Sequence, residues 1–169
     1  MEIPADLNPA CVPVAWLLGT WEGVGVGDYA TSEAFQFGQQ VRFTYVPGKP
    51  YLVYESATWR MNPDGSVGEP LARENGYWRP QPDGQIEVLL AHPTGIIEIY
   101  LGEVAPAKIE LATRGVLKTE TAKDYRSATR LYGLVDGKLM WVMDMSAMGQ
   151  QMQAHVSAEL RRVTGPQTA

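Results

Sequence analysis

Turn-forming pairs recur along this chain at intervals that a single β-strand would fill, and that rhythm restricts the fold more than any other feature. Pro47-Gly48, Asn62-Pro63-Asp64-Gly65, Pro82-Asp83-Gly84, Pro93-Thr94-Gly95, Asp136-Gly137 and Gly149 each break the chain between segments of strand length. The glycine-rich stretch from Gly19 to Gly27 reads as a first strand that bends or lets another backbone come close. Further strands are expected over 35–45, 51–59, 70–79, 85–92, 96–101, 108–113, 125–135, 139–146 and 153–162. In 35–45, Phe35, Phe37, Val41, Phe43 and Tyr45 share one phase against Gln36, Gln40, Arg42 and Thr44, so one face is buried. No amphipathic helix of ordinary length interrupts the series. Short hairpins joined in sequence most simply close into an all-β, antiparallel up-and-down barrel of about ten strands around a central cavity; a β-sandwich is the competing architecture.

The ends carry different signals. Residues 1–13 hold three prolines and no hydrophobic period, as a flexible N-terminal arm would. Val14 to Leu18 forms one apolar helical turn, a plug for the barrel that spans 14–163, and 164–169 is a tail. A chain of 169 residues with 45% hydrophobic and 20% charged residues fits one globular domain. The net charge of -5, with no basic cluster beyond the pair Arg161-Arg162, argues against a nucleic-acid partner. The apolar run from Val12 to Leu18 is interrupted by Pro13 and too short for a bilayer span or signal-peptide core, so no membrane partner and a cytoplasmic location are expected. Cys11 is the only cysteine and has no partner for a disulfide, zinc or iron-sulfur site. There is no HExxH, CxxC or Gly-x-Ser-x-Gly, and the glycines of 19–27 lack the flanking strand and helix of a phosphate loop.

The strongest candidate for chemistry lies in the last hairpin. Gly149 permits a tight reversal between 139–146 and 153–162, bringing methionines of one arm beside His155, one of only two histidines. In 139–146, Asp144 marks the outward phase, so Trp141, Met143 and Met145 should face inward, as a pocket wall or as ordinary core. His155 shares its phase with Gln153, Ser157 and Glu159, opposite Ala154, Val156 and Ala158, so simple alternation aims it at water. Either the barrel interior is partly polar there, or a bulge switches the phase after His155. His92 shares a phase with Val88 and Leu90 and belongs at the inner rim, as a polar pocket group or a turn residue. Glu55, Glu74 and Glu87 are expected mostly on a solvated outer face. Lys118, Lys123, Arg126 and Arg130 read either as surface charge or as receivers of a ligand's carboxylates at the mouth.

Several stretches together carry a resemblance: Leu17-Leu18-Gly19-Thr20-Trp21-Glu22-Gly23-Val24-Gly25, Gly48-Lys49-Pro50-Tyr51-Leu52, Glu74-Asn75-Gly76-Tyr77, Leu90-Ala91-His92-Pro93-Thr94-Gly95, Thr121-Ala122-Lys123 and Gln153-Ala154-His155-Val156-Ser157-Ala158. The chain resembles the nitrobindin family over roughly 17–163. The most specific marks are Gly19, Trp21, Gly23 and Gly25, and the terminal histidine in its Gln-x-x-His-x-Ser-Ala setting. The resemblance implies a barrel shaped like fatty-acid-binding proteins that holds one heme b per chain, with His155 as axial iron ligand. It places Lys123 near the propionates; Met145 and His92, inward by their strand phase, are further candidate cofactor-site residues. It also implies a mainly ferric iron that binds nitric oxide and converts peroxynitrite to nitrate, which would make the chain a heme-dependent isomerase. A homodimer is the assembly left open. Ala30 and Ala72 depart from the family pattern, in which proline and histidine are common there, and both changes fall at the pocket rim. The alternative reading is a heme-free carrier of an apolar small molecule.

Overall fold

Alternating burial along nearly every strand decides the architecture, because a sheet with one apolar face must wrap that face around a core. The computed structural model describes residues 2–169; Met1, the first residue of the expected arm, lies outside them. The strands are β1 (Gly19–Tyr29), β2 (Ser32–Tyr45), β3 (Leu52–Met61), β4 (Val67–Pro80), β5 (Gln85–His92), β6 (Ile96–Ala105), β7 (Lys108–Lys118), β8 (Tyr125–Val135), β9 (Lys138–Ala147) and β10 (Gln153–Thr164). Each pairs antiparallel with its sequence neighbours, and β10 returns to β1, closing the barrel. Closure leaves no edge strand and settles the choice against a sandwich.

The closing pair explains the glycines of the first strand. A Cβ on Gly23 would stand 2.0 Å from the Glu159 carbonyl oxygen, and one on Gly25 2.5 Å from the Ser157 carbonyl oxygen. Gly19 adopts φ 118°, in the left-handed range that favours glycine, where β1 leaves the helical plug. The strands β6 and β7 run past the expected 101 and 113. They are joined by a turn at Pro106-Ala107, where Ala107 takes φ 55° without the glycine that would have announced it.

A 3-10 helix, Pro9–Leu17, closes one end of the barrel, beginning before the Val14 at which the helical turn was expected. Cys11, Val14 and Leu17 in it, and Leu18 just after it, are fully buried, and burial pushes the Cys11 thiol up to about 11, so the thiol stays protonated. Arg162 reaches from β10 to donate to the carbonyls of Leu18 and Trp16 and lies 4.2 Å above the Trp21 ring. Beyond this plug, Trp21, Phe43, Tyr54, Trp78 and Tyr132 fill the lower half of the barrel, with Trp78 5.1 Å from Phe43 and 5.0 Å from Tyr132. Each such ring contributes roughly 4–6 kcal/mol of apolar burial. The lower half is therefore solid, and any cavity must lie toward the other end.

Candidate functional site

The cavity opens at the end that carries the β1–β2, β3–β4, β5–β6, β7–β8 and β9–β10 turns, and its volume is about 760 Å³, within the range of cofactor sites. Phe35 and Phe37 from β2, Met143 and Met145 from β9, and Val156 from β10 supply an apolar wall. Trp141 and Met143 are buried and Met145 is half-buried against the core, so the inward phase expected for β9 is the observed one. Where Trp141 meets the cavity its indole N–H donates to Gln39 Oε1 at 2.8 Å, and Gln39 Nε2 donates to Ser56 Oγ at 3.0 Å. That chain satisfies the polar groups of an otherwise buried Gln39.

His155 faces this cavity, and the physical reason is a bulge. On β10, Ala154 pairs with Asp144 and Val156 with Met143, so His155 is the extra residue between two consecutive partners on β9. Ala154 points to solvent, His155 and Val156 both line the cavity, and Ala158 and Leu160 continue inward. The polar-interior alternative is not needed. Two groups then hold the ring. Its Nδ1 lies 3.2 Å from the Asp28 carbonyl oxygen, to which Nδ1–H donates, and the Tyr29 ring meets it edge-on at 5.4 Å. Tyr29 is itself fixed by its hydroxyl, which accepts from the Ala147 N–H at 2.9 Å and reaches the Met145 and Ala147 carbonyls at 3.1 Å. Burial lowers the His155 pKa below its ordinary value, against the Asp28 hydrogen bond that raises it, and the Arg130 charge lowers it further. The result is a neutral imidazole with its tautomer set and its Nε2 lone pair available, which is the state an axial iron ligand requires.

The opposite wall is polar. In a closed ring of ten strands β5 stands five places from β10 in either direction, so His92 faces His155 across the cavity. His92 Nε2 lies 2.6 Å from Glu98 Oε2, and Nδ1 3.7 Å from Glu74 Oε2. Arg130 grips Glu74 with two bonds of 2.8 Å from separate nitrogens, and its Nε donates to Tyr100 Oη at 3.1 Å. Glu98 accepts from Tyr100 at 2.7 Å and from Tyr125, and Glu74 accepts from Tyr54 at 2.7 Å. Burial alone would raise Glu74, but the Arg130 charge and hydrogen bonds, with the Tyr54 hydroxyl, hold it at about 2.

This network corrects two expectations. Glu55 and Glu87 do sit outside, paired with Arg42 and Arg79, but Glu74 is an interior group. Arg130 is 4% exposed and receives the protein's own carboxylates, not those of a ligand at the mouth. The signal was in the phase, since Arg130 alternates with buried Ala128 and Tyr132, and Glu98 with buried Tyr100. Lys118 and Arg126 lie outside with Asp124, at 3.5 and 3.7 Å, while Lys123 lines the cavity at its mouth. Gly19, Trp21, Gly23 and Gly25 line no part of the cavity; they pack the closing pair that carries the bulge.

A family model described as the THAP4-like, heme-binding beta-barrel domain matches residues 10–162. The chain belongs to this family. A protein of Nocardioides named peroxynitrite isomerase is 47% identical over 161 residues, covering 95% of this chain and 98% of that protein. One of Streptomyces griseus named ferric nitrobindin-like protein is 41% identical over 169 residues, covering 99% and 88%. The crystal structure of Rv2717c from M. tuberculosis superposes with a TM-score of 0.85 at 37% identity, covering 94% of this chain and all of that one. The donor set of this heme-binding barrel suits its family's cofactor: one neutral imidazole on a largely apolar wall, a hollow of about 760 Å³, and a cation at the mouth.

Proposed function

We propose that the protein is a heme b protein that isomerises peroxynitrite to nitrate, with His155 Nε2 as the axial iron ligand. One observation carries the reading: the β10 bulge turns His155 into the cavity while the Asp28 carbonyl takes its Nδ1–H. The proteins named peroxynitrite isomerase that match at 47% and 38% identity support the activity. Bound there, a ferric heme supplies the Lewis-acid centre that lowers the barrier to O–O cleavage in peroxynitrite. The chain's own part is positional. Asp28 and Tyr29 hold the imidazole, and Phe35, Phe37, Met143 and Met145 exclude water and offer no strong competing ligand. Lys123 lines the mouth, where it would meet the carboxylates of the bound group, and His92 stands on the wall opposite His155.

The same reading makes the protein a binder of nitric oxide. It is read as cytoplasmic, with no nucleic-acid or membrane partner, which the charge of -5 supports; among the described residues no helix is long and apolar enough to cross a membrane. A homodimer is the proposed assembly, supported by the contiguous exposed apolar residues Tyr77, Ile97, Ile99 and Leu117 on the outer face of β4–β7. Stopped-flow decay of peroxynitrite tests the activity: ferric hemin-loaded protein should accelerate decay in proportion to its concentration and shift the product toward nitrate, while the heme-free protein should do neither. Equal rates for the two forms would refute it. The apolar lining also suits a heme-free carrier, which native mass spectrometry of freshly isolated protein would reveal as a bound lipid without iron.

A further inference from the structure

The wall facing His155 is built with more care than lining a hollow requires. Glu98 is 1% exposed, and each of its oxygens is engaged: Oε1 by the hydroxyls of Tyr100 and Tyr125, Oε2 by His92 Nε2 at 2.6 Å. That last contact determines the tautomer. A carboxylate can only accept, so Nε2 carries a proton, and in the neutral ring the lone pair is then on Nδ1, in a side chain that lines the cavity. Nδ1 lies 3.7 Å from Glu74 Oε2, beyond hydrogen-bond reach, and both Glu74 oxygens are already held by Arg130. Of the ring's two nitrogens, Nδ1 is therefore the one left to act on a ligand.

Charge supports the same role. Glu74, Glu98 and Arg130 sum to one uncompensated negative charge beside the His92 ring, with Arg130 Nη2 3.7 Å from Glu98 Oε2. Tyr54, Tyr100, Tyr125 and Tyr132 complete the shell as neutral hydroxyls, all pushed upward by burial. A proton arriving on Nδ1 makes the cluster neutral and lies between two carboxylates. Glu74, His92 and Glu98 bring their ligand atoms within 4.8 Å of one another, but the Arg130 guanidinium already supplies the positive charge there, bonded to Glu74 and 3.7 Å from Glu98.

We infer that His92 is the proton acceptor for weak-acid ligands entering the cavity. Nδ1 takes the O–H proton of peroxynitrous acid, the conjugate acid of peroxynitrite; the O–H bond breaks, an N–H bond forms, and the anion keeps the electron pair. Glu98 holds Nε2–H throughout, and the proton leaves by the mouth when nitrate departs. This inference rests on the heme reading, and the experiment separates the two.

The test compares two ligands of the hemin-loaded protein by stopped flow: hydrogen cyanide, which must lose a proton to bind as its anion, and nitric oxide, which has none to lose. In both His92→Gln and His92→Phe, cyanide association should fall by about a hundredfold, with nitric oxide association nearly unchanged. A parallel fall for both ligands, or a cyanide effect below about tenfold, overturns the inference. Failure of the unaltered protein to give a Soret band with hemin would sink the heme reading instead, before cyanide is added. An independent readout needs no heme. The ring nitrogens of His92, assigned against His155→Ala in a chain with two histidines, should show the Nε2–H tautomer at mildly alkaline pH. A proton on Nδ1 or on both nitrogens leaves no acceptor and overturns the proposal.

Discussion

Replacing Arg130 with leucine should change both the stability of the barrel and the direction in which stability depends on pH. In the unaltered protein Glu74 is drawn from 4.5 to about 2, because Arg130 outweighs the burial that would raise it. A carboxyl lowered in the folded state stabilises above its unfolded value and loses that contribution as pH falls toward its folded one. Over that window Glu74 accounts for about 3 kcal/mol. In Arg130→Leu the same carboxylate stays inside with Glu98 and no guanidinium, and burial then raises it. At neutral pH the loss should be about 3–5 kcal/mol, the cost of removing one partner of a buried pair, equivalent to about 6–20 °C in melting temperature. A raised carboxyl stabilises below its unfolded value and loses that contribution as pH rises, so the variant should be more stable at about pH 5 than at neutral pH, whereas in the unaltered protein the Glu74 contribution is full across that range and is lost only at lower pH. Urea unfolding followed by tryptophan fluorescence measures both quantities. A loss below about 1 kcal/mol with the original pH slope would refute the claim that Arg130 is the charge holding Glu74.

Gly23→Ala should cost about 1–3 kcal/mol in thermal unfolding, because its Cβ would meet the Glu159 carbonyl at 2.0 Å across the closing pair; an unchanged melt would mean that β1 and β10 can separate freely. Lys123→Glu should weaken hemin retention about two- to fivefold at low salt, with the difference disappearing at high salt, since the residue acts through a solvent-screened charge. A transfer assay to a heme acceptor measures this, and a salt-independent effect would count against it. Tyr29→Phe removes the hydroxyl that accepts from the Ala147 N–H and should speed hemin loss by loosening the wall beside His155 without abolishing binding.

Much of the barrel was legible because each strand announced itself locally. Asp136-Gly137 and Gly149 mark turns that the structure builds with positive φ, and Phe37, Val41 and Phe43 fall on the buried face that their alternation indicates. What escaped depends on partners distant in sequence. Arg130 and Glu74 are 56 residues apart, and each looks like a surface charge until β4 and β8 are seen to face the same interior. Their phases with Trp78 and Tyr132 held the clue, but a charged residue in an inward phase becomes credible only once its counter-charge is placed. The His155 bulge is similar. Alternation along β10 pointed the ring outward, and only the register against Asp144 and Met143 shows where the extra residue falls. Sequence offered the bulge as one of two solutions because bulge position belongs to a pair of strands, not to one.

The measurement closest to the central claim is the optical spectrum of hemin bound to His155→Gly, with and without added imidazole. A ring held by the Asp28 carbonyl and aimed into the cavity predicts a Soret band displaced from that of the unaltered protein. It also predicts substantial restoration when free imidazole fills the vacated space. A variant spectrum identical to the unaltered one, insensitive to imidazole, would show that the iron is held elsewhere and that the bulge on β10 serves another purpose.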